Sequence, residues 1–357
     1  MTQLEVRPDT TTTPAREPEV PAARPFTGLS PAGLTGFLGA IGALFVVGEI
    51  AIWAAWIAGP HFHATDPGPT PLPWATHFWI VLFQIVSPVL AVVTIVLVVR
   101  RCLQRRRLTF NAVAMIAWVT CCIQDPFINW VRPGFTYNAH LFNRGSWSSE
   151  VPGWISPLGG RLPEPLLFMD VAYFWMAMLS TIIVARVMHW AAARYPHASM
   201  VRLFLWGYGS MVAFDLVFEV PWVHSGLYAY PGAVHWLSLW PGRTYQFPVY
   251  EALIFPFVWA AMGALKFGAD RRRDDLSFVE RGIVGIKSAR LRPAARILNV
   301  TAFIQLVFIG AYNIPMWGIS HYGGPWPKNL PSYLTDGLCG PPTPYACPAP
   351  HSPIYVR

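Results

Sequence analysis

Long apolar stretches, separated by short charged or Pro/Gly-rich ones, set the pattern of this chain. Residues 67–99, 171–185, 203–214, 220–242, 252–265 and 297–327 contain no Asp, Glu, Lys or Arg. Several of these runs approach the ~20 residues that a membrane-spanning helix needs. The breaks between them predict seven spans, at 33–58, 77–99, 109–131, 166–188, 201–223, 248–266 and 295–316. The expected fold class is therefore all-α, a polytopic membrane helix bundle. Residues 1–30 read as a disordered polar tail, too long and too acidic for a signal peptide. Residues 31–317 form the bundle, with an ordered outer loop at 132–165, and 318–357 form a Pro/Gly-rich outer tail, either an ordered cap or a loose end.

Composition agrees with the pattern. The chain is 54% hydrophobic and 12% charged, whereas soluble domains average about 25% charged. Its basic residues add an orientation, because Lys and Arg of short loops stay on the cytoplasmic side. With the N-terminus inside, 20 of the 26 Lys and Arg fall on inner segments, which places the C-terminus outside. The net charge of +8 is then a matter of topology and implies no nucleic acid. "RRCLQRRR" at 100–107 reads as a stop-transfer anchor beside anionic lipid. Cys339 and Cys347 flank "GPPTPYA" in the outer tail, where a disulfide is permitted.

Six acids lie within spans: Glu49, Asp125, Asp170, Asp215, Glu219 and Glu251. All sit toward the outer ends of their helices; at 1.5 Å per residue Asp125 is roughly 9 Å from its end and Glu251 roughly 5 Å. An ionised carboxylate facing lipid costs several kcal/mol, so these side chains are expected to converge on an outward-opening pocket. Asp215 and Glu219 are spaced i, i+4 and share a helical face. The Lys and Arg within the spans (Arg186, Arg202, Lys266 and Arg296) sit at the inner ends and do not neutralise them, so a shared proton is expected. The third span ends in "QDPFINW", which carries Gln124, Asn129 and Trp130 to the rim, while Pro126 frees a backbone carbonyl that neighbours must satisfy. The loop beyond it is long and rich in Gly, Pro, amides and aromatics, a composition suited to a lid or binding loop. Asn143 to Trp147, "NRGSW", fit a tight turn or a lid tip. The rim aromatics, among them Trp222, Tyr228 and Tyr230, fit an interfacial belt. His224 fits a rim histidine in water or a proton shuttle. His61 and His63 in "HFH" lack the carboxylate spacing of a metal site, and no phosphate-binding loop, dinucleotide fingerprint or nucleophile elbow occurs. No cofactor and no metal are expected.

The pattern "QDPFINW…TYNAHLFNRGSW…VPGW", within residues 124–154, resembles the AveC-like spirocyclase family. These are actinobacterial integral membrane proteins, and the namesake helps to build the spiroketal of the polyketide avermectin. The resemblance extends over about residues 110–315. It implies a cell-membrane cyclase of secondary metabolism acting on a lipophilic small molecule. Spiroketal closure requires a carboxylic acid to protonate a departing oxygen and a carboxylate to deprotonate the incoming one. Matched to the intramembrane acids, this chemistry points to Asp125 with Asp215 and Glu219, assisted by Glu251 and Asp170. Gln124, Asn129, Trp130, Tyr137, Asn138, Asn143, Trp147, His224 and Asn313 are the expected substrate contacts. Two other classes remain open: a transporter or lipid-binding protein, and a non-catalytic accessory subunit. An odd number of spans without an internal repeat weighs against the transporter.

Overall fold

The computed structural model describes residues 30–350 and is all-α, 63% helical with almost no strands. The expectation of a disordered tail over residues 1–30 falls, apart from Ser30, outside the described residues. Seven helices are long and apolar enough to cross a membrane. They are α1 (Pro31–Ala58), α2 (Trp74–Arg105), a third that begins as α3 (Phe110–Thr120), α4 (Met169–Arg194), α5 (Met200–Ser225), α6 (Glu251–Asp270) and a seventh that begins as α7 (Arg292–Phe308). Several outrun the predicted spans. Helix α2 continues to Arg105 because arginine is a good helix former whose long side chain carries its charge away from the apolar stem.

Two spans are not regular helices. From Cys121 to Asn129 the third becomes a 3-10 helix around Pro126, which has no N–H to donate. Three side chains take carbonyls in or just before this segment: Gln305 Nε2 donates to Thr120 O (2.9 Å), Trp147 Nε1 to Ile123 O (2.8 Å) and Trp317 Nε1 to Phe127 O (2.6 Å). The seventh span passes through a π turn at Ile309–Asn313 before α8 (Ile314–Ser320), whose second residue is Pro315. That extra residue in the turn brings both Tyr312 and Asn313 into the interior.

Close backbone approach sets the packing. A Cβ on Gly42 of α1 would lie 2.0 Å from the Leu298 carbonyl of α7, and one on Gly263 of α6 would lie 2.3 Å from the Val184 side chain of α4. Helices α3, α4 and α6 are the most enclosed, whereas α1, α2 and α5 present most of their apolar surface outward.

The connections gather at two ends. At one, the α2–α3, α4–α5 and α6–α7 links, together with the helix ends that flank them, carry 17 of the 22 Lys and Arg of the described residues. Arg296 fastens this end, bonding Glu280 (2.7 Å), Leu108 O (2.6 Å) and Asp275 O (2.9 Å). At the other end, residues 59–73, 130–168, 226–250 and 321–350 interlock. Strand β1 (Thr136–Tyr137) pairs antiparallel with β2 (Tyr228–Ala229), and β3 (Ser238–Leu239) with β4 (Phe247–Pro248). The short helix α9 (Ser332–Thr335) docks beside β1, where Ala139 N, two residues beyond the strand, donates to Tyr333 O (2.9 Å), and Cys339 and Cys347 are disulfide-bonded. Residues 321–350 thus pack as a cap.

Candidate active site

Below the interlocked loops lies a partly open cavity of about 760 Å³, its mouth included. Four carboxyls reach it: Asp125 from the 3-10 segment, Asp215 and Glu219 from α5, and Glu251 from the first turn of α6. Five phenols join them, Tyr137, Tyr173, Tyr228, Tyr230 and Tyr312, and the remaining lining is apolar. No Lys, Arg or His is among the lining residues. Helical periodicity explains the pairings: Asp215 and Glu219 are one turn apart, and so are Tyr173 and the cavity-lining Met176.

The acids form two groups. Asp125 accepts hydrogen bonds from Tyr137 (2.7 Å) and Tyr173 (3.0 Å). Behind it stand Glu164, from the loop before α4, and Asp170, from the first turn of α4. The second group is Asp215, Glu219 and Glu251, each offering a carboxylate oxygen within 4.8 Å of the others. Tyr230 donates to Glu219, and Tyr312 donates weakly to Glu251 (3.4 Å). One oxygen of each of these three acids is buried without a hydrogen-bond donor. Three hard oxygen donors so close could share protons or hold a hard cation. Burial, reinforced by nearby carboxylates, pushes the phenols of Tyr137, Tyr228 and Tyr230 well above the ordinary tyrosine range. They remain protonated, and they are donors.

The structure brings together only part of the expected site. Asp125, Asp215, Glu219, Glu251 and Tyr137 line the cavity, whereas Asp170 lies behind Asp125 with both oxygens buried and without donors. Glu49 is elsewhere: it accepts from Gln305 (2.6 Å) in a buried amide network between α1 and α7. Gln124 and Asn313 belong to the same network, bonded to each other (2.6 Å) and, through Gln124, to Gln305. Asn129 accepts from Gly134 N (2.9 Å) and Phe135 N (3.0 Å) and closes the turn after the span. Asn138 bridges Gly226 O (2.8 Å) and His140 N (3.0 Å).

Asn143 is saturated by Thr65 N, Gly145 N, Ala139 O and Leu141 O, which makes "NRGSW" a fastened turn. Trp147 wedges between Trp53 and Trp56, and Trp130 packs against Phe127, Trp154 and Trp317. His224 is exposed, stacked on Tyr245. Asn129, Asn138, Asn143 and Trp130 do not line the cavity because backbone groups of the loops at this end have claimed their polar atoms, as Ile123 O of the third span has claimed the Trp147 N–H. Sequence reasoning passed over Glu164, Tyr173 and Tyr312 and read Tyr228 and Tyr230 as belt residues. The available signals were the two prolines enclosing Glu164, "PEP", and the i, i+3 spacing of Asp170 and Tyr173.

Residues 105–334, more than half of the chain, match the family described as "Spirocyclase AveC-like". No curated protein and no solved structure was found to match.

Proposed function

This chain belongs to the AveC-like spirocyclase family, and on that footing we propose that it is a multi-pass cell-membrane cyclase. Its substrate is a lipophilic, polyketide-like dihydroxy-ketone, which it closes to a spiroketal in secondary metabolism. The observation that carries this reading is the cavity itself: four carboxyls and five phenols facing one aromatic-walled space with no cationic side chain in its lining.

In the reaction, one hydroxyl adds to the ketone to give a hemiketal. A carboxyl group protonates the hemiketal hydroxyl, which leaves as water, and the resulting oxocarbenium ion is trapped by the second hydroxyl as a carboxylate takes its proton. The net change is loss of one water. Asp125, Asp215, Glu219 and Glu251 supply the proton donor, the acceptor and the counter-charge to the cation. The rings of Trp222, Trp259 and Tyr230 line the same space and suit a cation through their quadrupoles, and the phenols orient the substrate oxygens. A substrate that partitions into the bilayer accounts for the placement of such chemistry among membrane helices. The N-terminus is cytoplasmic on this reading, because the basic connections gather at the end of the bundle where α1 begins.

The test incubates membranes carrying wild type, Asp125→Asn or Glu219→Gln with a dihydroxy-ketone precursor and follows product by chiral chromatography. Stereoselective closure by wild type, lost in both variants at equal expression, is the expected result. Closure at the uncatalysed rate in all three refutes the cyclase and favours transport or an accessory role.

A further inference from the structure

Glu164 is a buried carboxyl that no motif singles out. It is held between Pro163 and Pro165 just before α4, is 1% exposed, and its backbone N–H is tied to Gly145 O (3.3 Å) and Leu162 O (3.1 Å). Its side chain comes within hydrogen-bond reach of two groups, Asp125 and Ser146. Ser146 is itself bonded to Ser148 (2.7 Å) in the "NRGSW" turn. Glu164 Oε2 receives no N–H or O–H from the protein. Two carboxyls this close, Glu164 buried and Asp125 at the edge of the cavity, with no cationic side chain facing them, are compatible only if they share a proton, since two bare carboxylates would repel and the buried one would lose its hydration. The other titratable groups that face the pair are Asp170 and Tyr173 on α4, Tyr137 on β1 and Cys122 in the 3-10 segment. None of these carries a positive charge to take the proton's place.

We propose that Asp125 and Glu164 form a proton-sharing dyad in which, of the two, Asp125 alone touches substrate and Glu164, from the loop before α4, supplies and recovers its proton. The inference deepens the cyclase reading and rests on it for its kinetic arm. At rest one proton is shared between the two carboxyls, and Asp125 also accepts from Tyr137 and Tyr173. To begin the cycle the proton passes to Asp125, which gives it to the departing hemiketal hydroxyl. Water leaves, and the oxocarbenium ion faces a pair of carboxylates. Asp125 then takes the proton of the incoming hydroxyl and returns it to Glu164. One proton suffices for both transfers, and no outside acid enters. The Asp215, Glu219 and Glu251 group then serves as counter-charge and orienting acceptor. Glu164 is a positioning residue, since it acts through Asp125.

The test uses the full-length protein in lipid nanodiscs. Infrared difference spectroscopy should show a protonated-carboxyl band that is lost in Glu164→Gln and shifted in Asp125→Asn, and a band unchanged in both overturns the dyad whether or not the protein is a cyclase. In the kinetic arm, Glu164→Gln should lower kcat roughly 10²-fold or more with KM little changed, the contribution typical of a positioned proton-transfer group. The bell-shaped pH profile expected of two carboxyls sharing a proton should reduce to one limb, and Glu164→Asp should restore part of the rate. A folded Glu164→Gln protein with the wild-type rate and profile overturns the proposal. If wild type closes no precursor, the cyclase reading fails while the infrared arm still decides the dyad.

Discussion

Replacing Asn143 with Ala tests whether this residue holds the cap or contacts substrate. Its Oδ1 accepts from Thr65 N (2.9 Å) and Gly145 N (3.1 Å), and its Nδ2 donates to Ala139 O (3.0 Å) and Leu141 O (2.8 Å). The side chain therefore joins the α1–α2 connection to three points of the α3–α4 loop, with 3% of its surface exposed. Each bond is worth about 0.5–1.5 kcal/mol net, so truncation at four of them, with partial relaxation, should cost about 3 kcal/mol. At roughly 2–4 °C per kcal/mol for a chain of this class, the melting midpoint should fall by roughly 6–12 °C. The assay is thermal unfolding of purified protein in one detergent at one scan rate, because membrane proteins often unfold irreversibly and the midpoint then depends on rate. Asn143→Asp, which keeps the acceptor and loses the donor, should fall between wild type and Asn143→Ala. A midpoint unchanged in Asn143→Ala, together with lost turnover, would refute this assignment and return Asn143 to the substrate site.

Three further outcomes are expected. Tyr137→Phe and Tyr173→Phe each remove one donor from Asp125; at about 1.5–3 kcal/mol for a bond to a charged group, each should slow closure roughly tenfold or more at unchanged fold, as measured by initial rates. Asp336 accepts from Thr136, and burial holds its carboxyl well above the ordinary 3.8. A raised acid contributes stability that is complete below 3.8 and lost as pH rises toward its folded value. Asp336→Asn should therefore match or fall slightly below wild type at low pH and exceed it above neutrality, as read from melting midpoints across pH. Gly42→Ala drives a methyl into the Leu298 carbonyl and should destabilise by about 1–3 kcal/mol, whereas Gly36→Ala, with open space around it, should change the midpoint little or raise it.

How much of the site was legible varied by residue. Asp215 and Glu219 could be placed together from their spacing alone, and Glu251 and Asp125 from depth, because an acid in an apolar span has few places to go except an interior cavity. Glu49 satisfied the same criteria and went elsewhere, since the amide of Gln305 on α7 meets it before the cavity does. The loop amides looked like ligands because function and loop closure draw on the same residue types. Only coordinates show that Asn129, Asn138 and Asn143 spend their polar atoms on backbone groups.

Local chemistry alone decided the all-α class, the seven apolar helices and the break at Pro126. Hydrophobic run length, charge placement and the missing proline N–H act within a few residues and need no knowledge of what lies beside them. The tertiary structure decided which neighbours took carbonyls in the break, that Glu164 meets Asp125, and that tyrosines from α4, the π turn and both strands of the β1–β2 pair face the same acids. Those contacts join residues tens to hundreds of positions apart, and their partners are chosen by helix packing and by the interlocking of four connections, which no local pattern encodes.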